Sequence, residues 1–306
     1  MPKMNVKRSI IVNAPKTKIK EFLSDFHNWK SWSPWLVCEP EAKLEYAKDG
    51  KYYKWEGNRV GSGEMKVIAE SDTQIDYDLT FLKPWKSQAK VNFELEDSGE
   101  GTNVSWTMDS SLPFFMFFMK KSMETYIGMD YDRGLKMLKE ELELGKINSE
   151  LEFLGTTSLE ACNFIGIKTS TSFSTIDKSM EKDFTALDTF ITENSIEVVG
   201  NPFSEYQKFN LVKDNVVYVA GFPVKEKPVN LPNNFFYGSL TEYKTETVRH
   251  KGKYDHLGNA WSTIMMMERN KEFKKNKKAF PLEIYLNDPS NTPSEELVTD
   301  ISMPIL

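Results

Sequence analysis

The second half of this chain contains the same order of elements twice, and this internal repeat constrains the fold more than any other feature. Each copy has the pattern of a strand, a helix and two further strands. The segments "NPFSEYQKF" and "AFPLEIYLN" hold a proline and a tyrosine at the same separation, Pro202 with Tyr206 and Pro281 with Tyr285. The segments "YVAGFPV" and "TDISMPI" close on similar triplets. Two such copies can pair their sheets and leave a cleft, which is a common place for a ligand.

The first half has a different order of elements. A strand over 5–13 is followed by a short helix over 17–25, and about six short strands then fill 36–110, separated by turn signals such as "KDGK" and "DSGEGTN". A long helix is predicted from Pro113 to about Leu144, because no proline interrupts it. We expect a curved antiparallel sheet with this helix across it, enclosing a cavity, and hence an α+β chain.

Size and charge limit the function. A length of 306 residues favours two domains. The net charge of -6 argues against a protein that binds nucleic acid by neutralising phosphates, and it disfavours adsorption on anionic membranes. The apolar run "LPFFMFFM" is too short to span a bilayer, which needs about 20 residues, and the first residues lack the apolar core of a signal peptide. We expect a cytoplasmic protein without a nucleic-acid partner or membrane insertion; its oligomeric state stays open.

The segment "HKGKYDHLGNAW" raises the question of a metal site. His250 and His256 are six positions apart with a turn between them, which is not the spacing of a helical metal-binding pair. Gly252 permits a sharp turn from strand to helix. We therefore expect no metal and no cofactor, with His250 shaping the turn and His256 at the surface. Three residues share one face of the helix that follows: Tyr254, Leu257 and Trp261.

Both halves resemble known families. Residues 1–146 resemble the START-like polyketide cyclase superfamily, also called SRPBCC, through "IIVNAPKTKIKEFLSDFHNWKSWSPW", the strand meander and the long last helix. This resemblance implies a helix-grip fold. Residues 157–306 resemble the GyrI-like effector-binding domain of bacterial multidrug-sensing regulators through "HKGKYDHLGNAW", "PLEIYLNDPSNTPSEEL" and "TDISMPI". In those regulators a helix-turn-helix domain comes first; a START-like domain takes that place here, so DNA binding is not carried over.

Glu283 is the sharpest candidate for a binding residue. Leu282 and Ile284 would lie on one face of a strand, while Glu283 and Tyr285 point to the other. A carboxylate buried in a cleft is costly unless a cation or a hydrogen-bond donor accompanies it. The resemblance implies that this glutamate lies at the floor of a drug pocket and faces cationic ligands. The alternative is a solvent-facing glutamate on a half-exposed strand.

Aromatic residues around Glu283 are further candidates, since aromatic faces hold flat or cationic ligands. They are Tyr285, Tyr206, Tyr254, Trp261 and Phe222. Ordinary core packing is the competing interpretation, above all for Trp261.

In the first domain, the candidates lie around the expected cavity. The long helix presents an apolar face that includes Phe114, Phe118 and Met123, and Trp32 and Trp35 stand near the presumed cavity mouth. Methionine and aromatic side chains suit an irregular apolar ligand. Plain packing between sheet and helix would produce the same pattern.

These observations favour a small-molecule binding protein for hydrophobic ligands, aromatic or cationic ones included. The alternative is a GyrI-like hydrolase of a reactive small molecule, in which Glu283 acts as general base and Tyr254 or Tyr206 donates a proton. The sequence leaves open whether the protein is an enzyme.

Overall fold

The chain forms two compact units, Met1–Asn148 and Ser149–Leu306. They are seen in a computed structural model that describes residues 3–99 and 101–306. The α+β fold class predicted from the sequence is confirmed in both units.

The first unit is one antiparallel sheet of seven strands with helices on it, in the order β1-β7-β6-β5-β4-β3-β2. Its strands are β1 Lys3–Val12, β2 Lys43–Tyr46, β3 Tyr52–Glu56, β4 Ser62–Glu70, β5 Gln74–Lys83, β6 Ser87–Asp97 and β7 Thr102–Ser111. Its helices are α1 Lys16–Leu23, α2 Trp29–Trp32 and α3 Lys120–Leu144. Strands β2 to β7 form the predicted meander, and β1 closes it by pairing with β7. The long helix starts later than predicted, because Phe114–Met119 forms a 3₁₀ helix.

Aromatic rings fill the interface between this sheet and its helices. Trp106 on β7 stacks on Tyr131 of α3 with ring centroids 3.8 Å apart, and Trp29 and Trp32 pack beside it at 6.2 and 5.5 Å. Gly134 lets α3 approach closely, since a Cβ there would lie 2.8 Å from the Trp106 ring. Where a cavity was expected between sheet and helix, these rings occupy the space.

The second unit is an antiparallel sheet of eight strands in the order β12-β9-β11-β10-β14-β15-β13-β8. Its strands are β8 Ser149–Leu159, β9 Cys162–Thr171, β10 Phe203–Asn210, β11 Asn215–Pro223, β12 Phe235–Leu240, β13 Tyr243–Gly252, β14 Leu282–Tyr285 and β15 Val298–Pro304. Its helices are α4 Ile176–Glu193 and α5 Gly258–Arg269.

The sequence repeat is visible in the strand order. The first copy is β9-α4-β10-β11 and the second is β13-α5-β14-β15. In the sheet, the strands of the first copy lie in the order β9-β11-β10 and those of the second in the reverse order, β14-β15-β13. The two copies meet where β10 pairs with β14. One extra strand flanks each copy. These two strands, β8 and β12, were not predicted, because β8 contains no buried residue and β12 follows a segment rich in proline and asparagine.

Candidate functional site

The two copies of the repeat meet in a short ladder of three residue pairs. Phe203 pairs with Ile284, Ser204 with Glu283 and Glu205 with Leu282. Ser204 and Glu283 each follow the repeated proline by two positions, so they are equivalent residues of the two copies. Because side chains alternate along a strand, Glu283 shares its face with Tyr285, and Ser204 shares its face with Tyr206. The β10–β14 pair therefore brings together the carboxyl group of Glu283, the phenol groups of Tyr285 and Tyr206, and the hydroxyl group of Ser204.

The Glu283 carboxylate accepts its hydrogen bonds from neutral donors. The Trp261 indole donates to its Oε1 at 2.5 Å, and the Tyr285 hydroxyl donates to its Oε2 at 2.7 Å. The Tyr206 hydroxyl also hydrogen-bonds to this carboxyl group. In the described part of the chain, no lysine or arginine is paired with Glu283.

Burial dominates the electrostatics of this carboxyl group. Glu283 is only 4% exposed, which excludes the solvent-facing alternative. Desolvation raises the pKa of Glu283 above its usual value, and the negative charge of Asp177 acts in the same direction. The hydrogen bonds from Trp261, Tyr285 and Tyr206 oppose this shift, because they stabilise the ionised form.

Aromatic rings from both helices surround the carboxyl group. Trp261 of α5 packs edge-on against Tyr206 with ring centroids 5.0 Å apart. On the other side, Phe184 of α4 packs edge-on against Tyr285 at 5.4 Å. The Tyr285 hydroxyl lies 3.0 Å from Ser204 Oγ, which links the two strands through their side chains. Each copy of the repeat therefore contributes rings to the surroundings of one carboxylate.

Tyr254 lies at the edge of this cluster. Its ring centroid is 6.0 Å from that of Tyr285, and its side chain is 38% exposed. Burial, followed by the charge of Glu283, raises the pKa of Tyr254 to about 12, so its hydroxyl keeps its proton at neutral pH. Tyr254 is thus both near the carboxyl group and accessible to solvent.

The structure brings most of the predicted residues together. Glu283, Tyr285, Tyr206 and Trp261 form one hydrogen-bonded cluster, with Tyr254 beside it. Phe222 packs against Phe184, with ring centroids 5.9 Å apart. Sequence reasoning missed Ser204 and Phe184 as members of this cluster. The repeat alignment contained the signal for Ser204, because it places that residue opposite Glu283.

The two histidines of "HKGKYDHLGNAW" are both buried. His256 was expected at the surface, but it is only 2% exposed, and His250 is completely buried. Ser149 Oγ lies 3.1 Å from His250 Nε2 and accepts a hydrogen bond from Asn259 at 3.0 Å. Strand β8 supplies Ser149, so the burial depends on a strand that was not predicted.

The predicted cavity residues of the first unit fall into two groups. Trp32 is fully buried in the core, while Trp35 and Met123 are partly buried and pack against it. Phe114 and Phe118 are 77% and 70% exposed, so they line no enclosed space. They precede α3 in the 3₁₀ helix instead of lying on its packed face. A cleft of about 170 Å³ lies elsewhere on this unit, lined in part by Ile68, Lys90 and Asn92.

Two general properties of the described residues bear on function. Among residues 3–99 and 101–306, no three or more His, Cys, Asp or Glu side chains are grouped so that they could hold a metal ion. Within the same residues, no helix is long and apolar enough to cross a membrane.

The chain thus has two α+β units. In the second unit, polar and aromatic side chains lie together where the two copies of the repeat pair. Residues 3–143 match the polyketide cyclase / dehydrase and lipid transport family, and residues 157–306 match the GyrI-like small molecule binding domain. The chain is therefore a fusion of a polyketide cyclase / dehydrase and lipid transport domain with a GyrI-like small-molecule binding domain.

Several solved structures match parts of this chain at low identity. The EcmrR–DNA complex in EcmrR-RPo is 17% identical with a TM-score of 0.44, covering 61% of this chain and 68% of that one. The EcmrR C-terminal domain is 19% identical with a TM-score of 0.40, covering 52% and 98%. The Aha1 dimer from Colwellia psychrerythraea is 21% identical with a TM-score of 0.35, covering 47% and 98%. No curated protein matched the chain.

Proposed function

We propose that the second unit binds a flat, apolar organic cation, with Glu283 as its countercharge. The observation that carries this proposal is a buried carboxyl group whose hydrogen-bond donors are all neutral. Three neutral donors orient a carboxylate without cancelling its charge. A ligand cation that approaches it in this desolvated place would gain more than it would gain in water.

The surroundings suit an organic cation with a flat apolar body better than a metal ion. Tyr285, Trp261 and Phe184 supply ring surfaces around the carboxyl group. Aromatic faces attract cations by about 0.5–2 kcal/mol each. Asp177 adds negative charge that also acts on Glu283. The partly exposed Tyr254 would then be the first side chain that an entering ligand meets.

The proposal predicts that Glu283→Gln separates charge recognition from shape recognition. The test compares N-methylquinolinium with 1-methylnaphthalene, which has nearly the same shape and no charge, by isothermal calorimetry. We expect the substitution to weaken binding of the cation at least ~10-fold, because a desolvated charge pair is lost, and to leave the neutral compound within about two-fold. In the wild type, affinity for the cation should rise with pH through the raised pKa of Glu283, since only the carboxylate attracts it.

The matched control is Glu226→Gln, which makes the same charge change at an exposed position of the same unit. It should bind both compounds as the wild type does. Equal affinity of Glu283→Gln and wild type for N-methylquinolinium would contradict the assigned role, and so would an affinity that does not vary with pH.

A specific observation also favours the hydrolase alternative. A desolvated carboxyl group with a raised pKa is suited to act as a general base, and the protonated Tyr254 hydroxyl nearby could serve as the acid. This function requires turnover of a bound ester or epoxide that Glu283→Gln abolishes while the variant still binds the compound. Saturable binding without product formation supports the binding function instead.

A further inference from the structure

The first unit carries an exposed aromatic segment that its core does not use. Phe114, Phe115, Phe117 and Phe118 are 77%, 74%, 60% and 70% exposed. The Phe117 ring contacts the rings of Phe114 and Phe118, with centroids 6.2 and 6.0 Å apart. All four lie in the 3₁₀ helix Phe114–Met119, between β7 and α3. A soluble protein rarely leaves so much contiguous apolar surface in water without a partner for it.

A fifth exposed aromatic residue lies at the same end of the sheet. The register pairs Ala89 of β6 with Ser110 of β7, so the β5–β6 turn, residues 84–86, is at the end where the phenylalanine segment begins. Trp85 in this turn is 50% exposed. The neighbouring strand β1 also begins at this end, because Lys3 pairs with Ser111.

The charges at this end are basic. Lys3, Lys86 and Lys121 are exposed and, within the part of the chain that the structure describes, form no ion pair. Two further lysines are paired with acids: Lys83 with Glu56 at 2.9 Å and Lys120 with Glu124 at 3.7 Å. The three unpaired lysines leave a local excess of positive charge, although the whole chain carries -6. The prediction from net charge took no account of where the charges lie.

We propose that this end of the first unit, residues 84–86 and 113–121, docks on an anionic lipid surface. Phenylalanine and tryptophan side chains partition into the boundary between headgroups and acyl chains, and lysines around them attract anionic headgroups. A second copy of the chain fits this surface less well, since a symmetric contact would bring the unpaired lysines of both copies together. The segment is too short to cross the bilayer, so it lies in the interface.

The experiment is co-sedimentation of the full chain with vesicles of phosphatidylcholine alone and with about one third phosphatidylglycerol. We expect wild type to bind the anionic vesicles in a salt-sensitive way and the neutral ones far more weakly. Phe114→Ser/Phe118→Ser should weaken binding to anionic vesicles at least ~10-fold, because two rings that would insert into the lipid are lost. Lys86→Gln/Lys121→Gln should also weaken it at least ~10-fold, since each lysine near the surface contributes roughly five-fold.

Two control variants make matched changes in the second unit. Val229→Ser/Phe280→Ser removes exposed apolar side chains, and Lys277→Gln/Lys278→Gln removes exposed charges. Both should bind as wild type does. Circular dichroism and thermal unfolding check that the phenylalanine variant folds, which its exposure leads us to expect.

Sedimentation velocity without lipid tests whether a second copy of the chain, and not a lipid surface, covers this end of the first unit. Wild type that does not bind anionic vesicles would overturn the proposal, and so would a folded Phe114→Ser/Phe118→Ser variant that binds them as wild type does. A wild-type dimer that the same variant converts to monomer, without vesicle binding, would identify a second copy as the occupant and would also overturn it. None of these readouts depends on the Glu283 cluster.

Discussion

At the scale of single residues, Glu283 shows how a costly group is kept in a protein interior. Removing a carboxylate from water disfavours its charge, and each hydrogen bond to it restores part of that loss. Trp261, Tyr285 and Tyr206 provide such bonds without adding charge. The carboxyl group is therefore held in place, and its ionised form would have only neutral partners. This is the condition under which a cationic ligand would have the largest effect.

His250 gives a prediction about pH and stability. Burial, helped by the neighbouring His256, lowers the pKa of His250 to about 4, so the folded state resists protonation. The unfolded chain takes up this proton near pH 6.5, and it binds more protons than the folded chain between these two values. Stability must then fall as pH decreases through this window. We expect the second unit to lose about 2 kcal/mol of unfolding free energy between pH 7 and 5 from His250 alone.

Urea unfolding at several pH values checks this expectation, with His250→Gln as the comparison. The variant cannot gain a proton at this position, so its stability should depend less steeply on pH over the same range. Parallel curves for variant and wild type would show that His250 does not titrate as its burial implies.

At the scale of elements, the pairing of β10 with β14 decides the character of the site. Ser204 and Glu283 are equivalent in the repeat and face each other across this pair. A glutamate in both copies would place two carboxylates in one desolvated spot, and their mutual repulsion would force one of them to remain protonated. The serine avoids this conflict and accommodates the Tyr285 hydroxyl at 3.0 Å. The two copies thus have the same order of strands and helix, but they carry different side chains at this equivalent position.

This asymmetry can be tested by making the two copies alike. Ser204→Glu should destabilise the second unit by about 2 kcal/mol or more relative to Ser204→Gln, which has nearly the same size and no charge. The difference should shrink as pH falls, because a carboxyl group with a raised pKa is then protonated in the folded state. Urea titrations of both variants at neutral and acidic pH measure it. Equal stability of the two variants at neutral pH would refute the repulsion argument.

At the scale of the whole molecule, the chain has two compact units, and each has its own core. The first core is built on aromatic stacking around Trp106, which is 1% exposed and contacts both the sheet and α3. The core of the second unit includes Tyr206 and Trp261, so its candidate site and its packing share residues. Because no residue of the first core belongs to the candidate site, we expect a substitution in that core to leave cation binding at the site unchanged.

Trp106→Ala tests this expectation. We expect it to cost the first unit about 3–5 kcal/mol, the usual loss for a large buried aromatic residue. Binding of N-methylquinolinium to the second unit should stay within about two-fold of wild type. Calorimetric scans and binding titrations of the full chain provide both values, with Tyr126→Ala, a substitution of an exposed aromatic on α3, as the control. A large loss of cation binding in Trp106→Ala alone would show that the units are coupled.

Much of the fold could be predicted from the sequence, because it depends on local patterns. The meander over β2 to β7, the long helix and both copies of the repeat follow from alternation, helical spacing and turn residues. The strands β8 and β12 could not be predicted in this way. Strand β8 becomes a strand because β13 offers it an unpaired edge, from Tyr243↔Leu159 to Gly252↔Ser149. Pairing with a distant edge leaves no local signal.

The candidate site, too, was predicted only in part from the sequence. The repeated proline and tyrosine, and the position of Glu283 between them, are properties of the sequence alone, and they predicted which residues to consider. The tertiary structure decided that Trp261 donates to Glu283, that Ser204 faces it and that His256 is buried. It also left Phe114 and Phe118 in solvent, although their apolar character had suggested a cavity lining. The reason is physical: periodicity fixes which side of its own element a residue occupies, whereas burial and partners depend on which other elements cover that side.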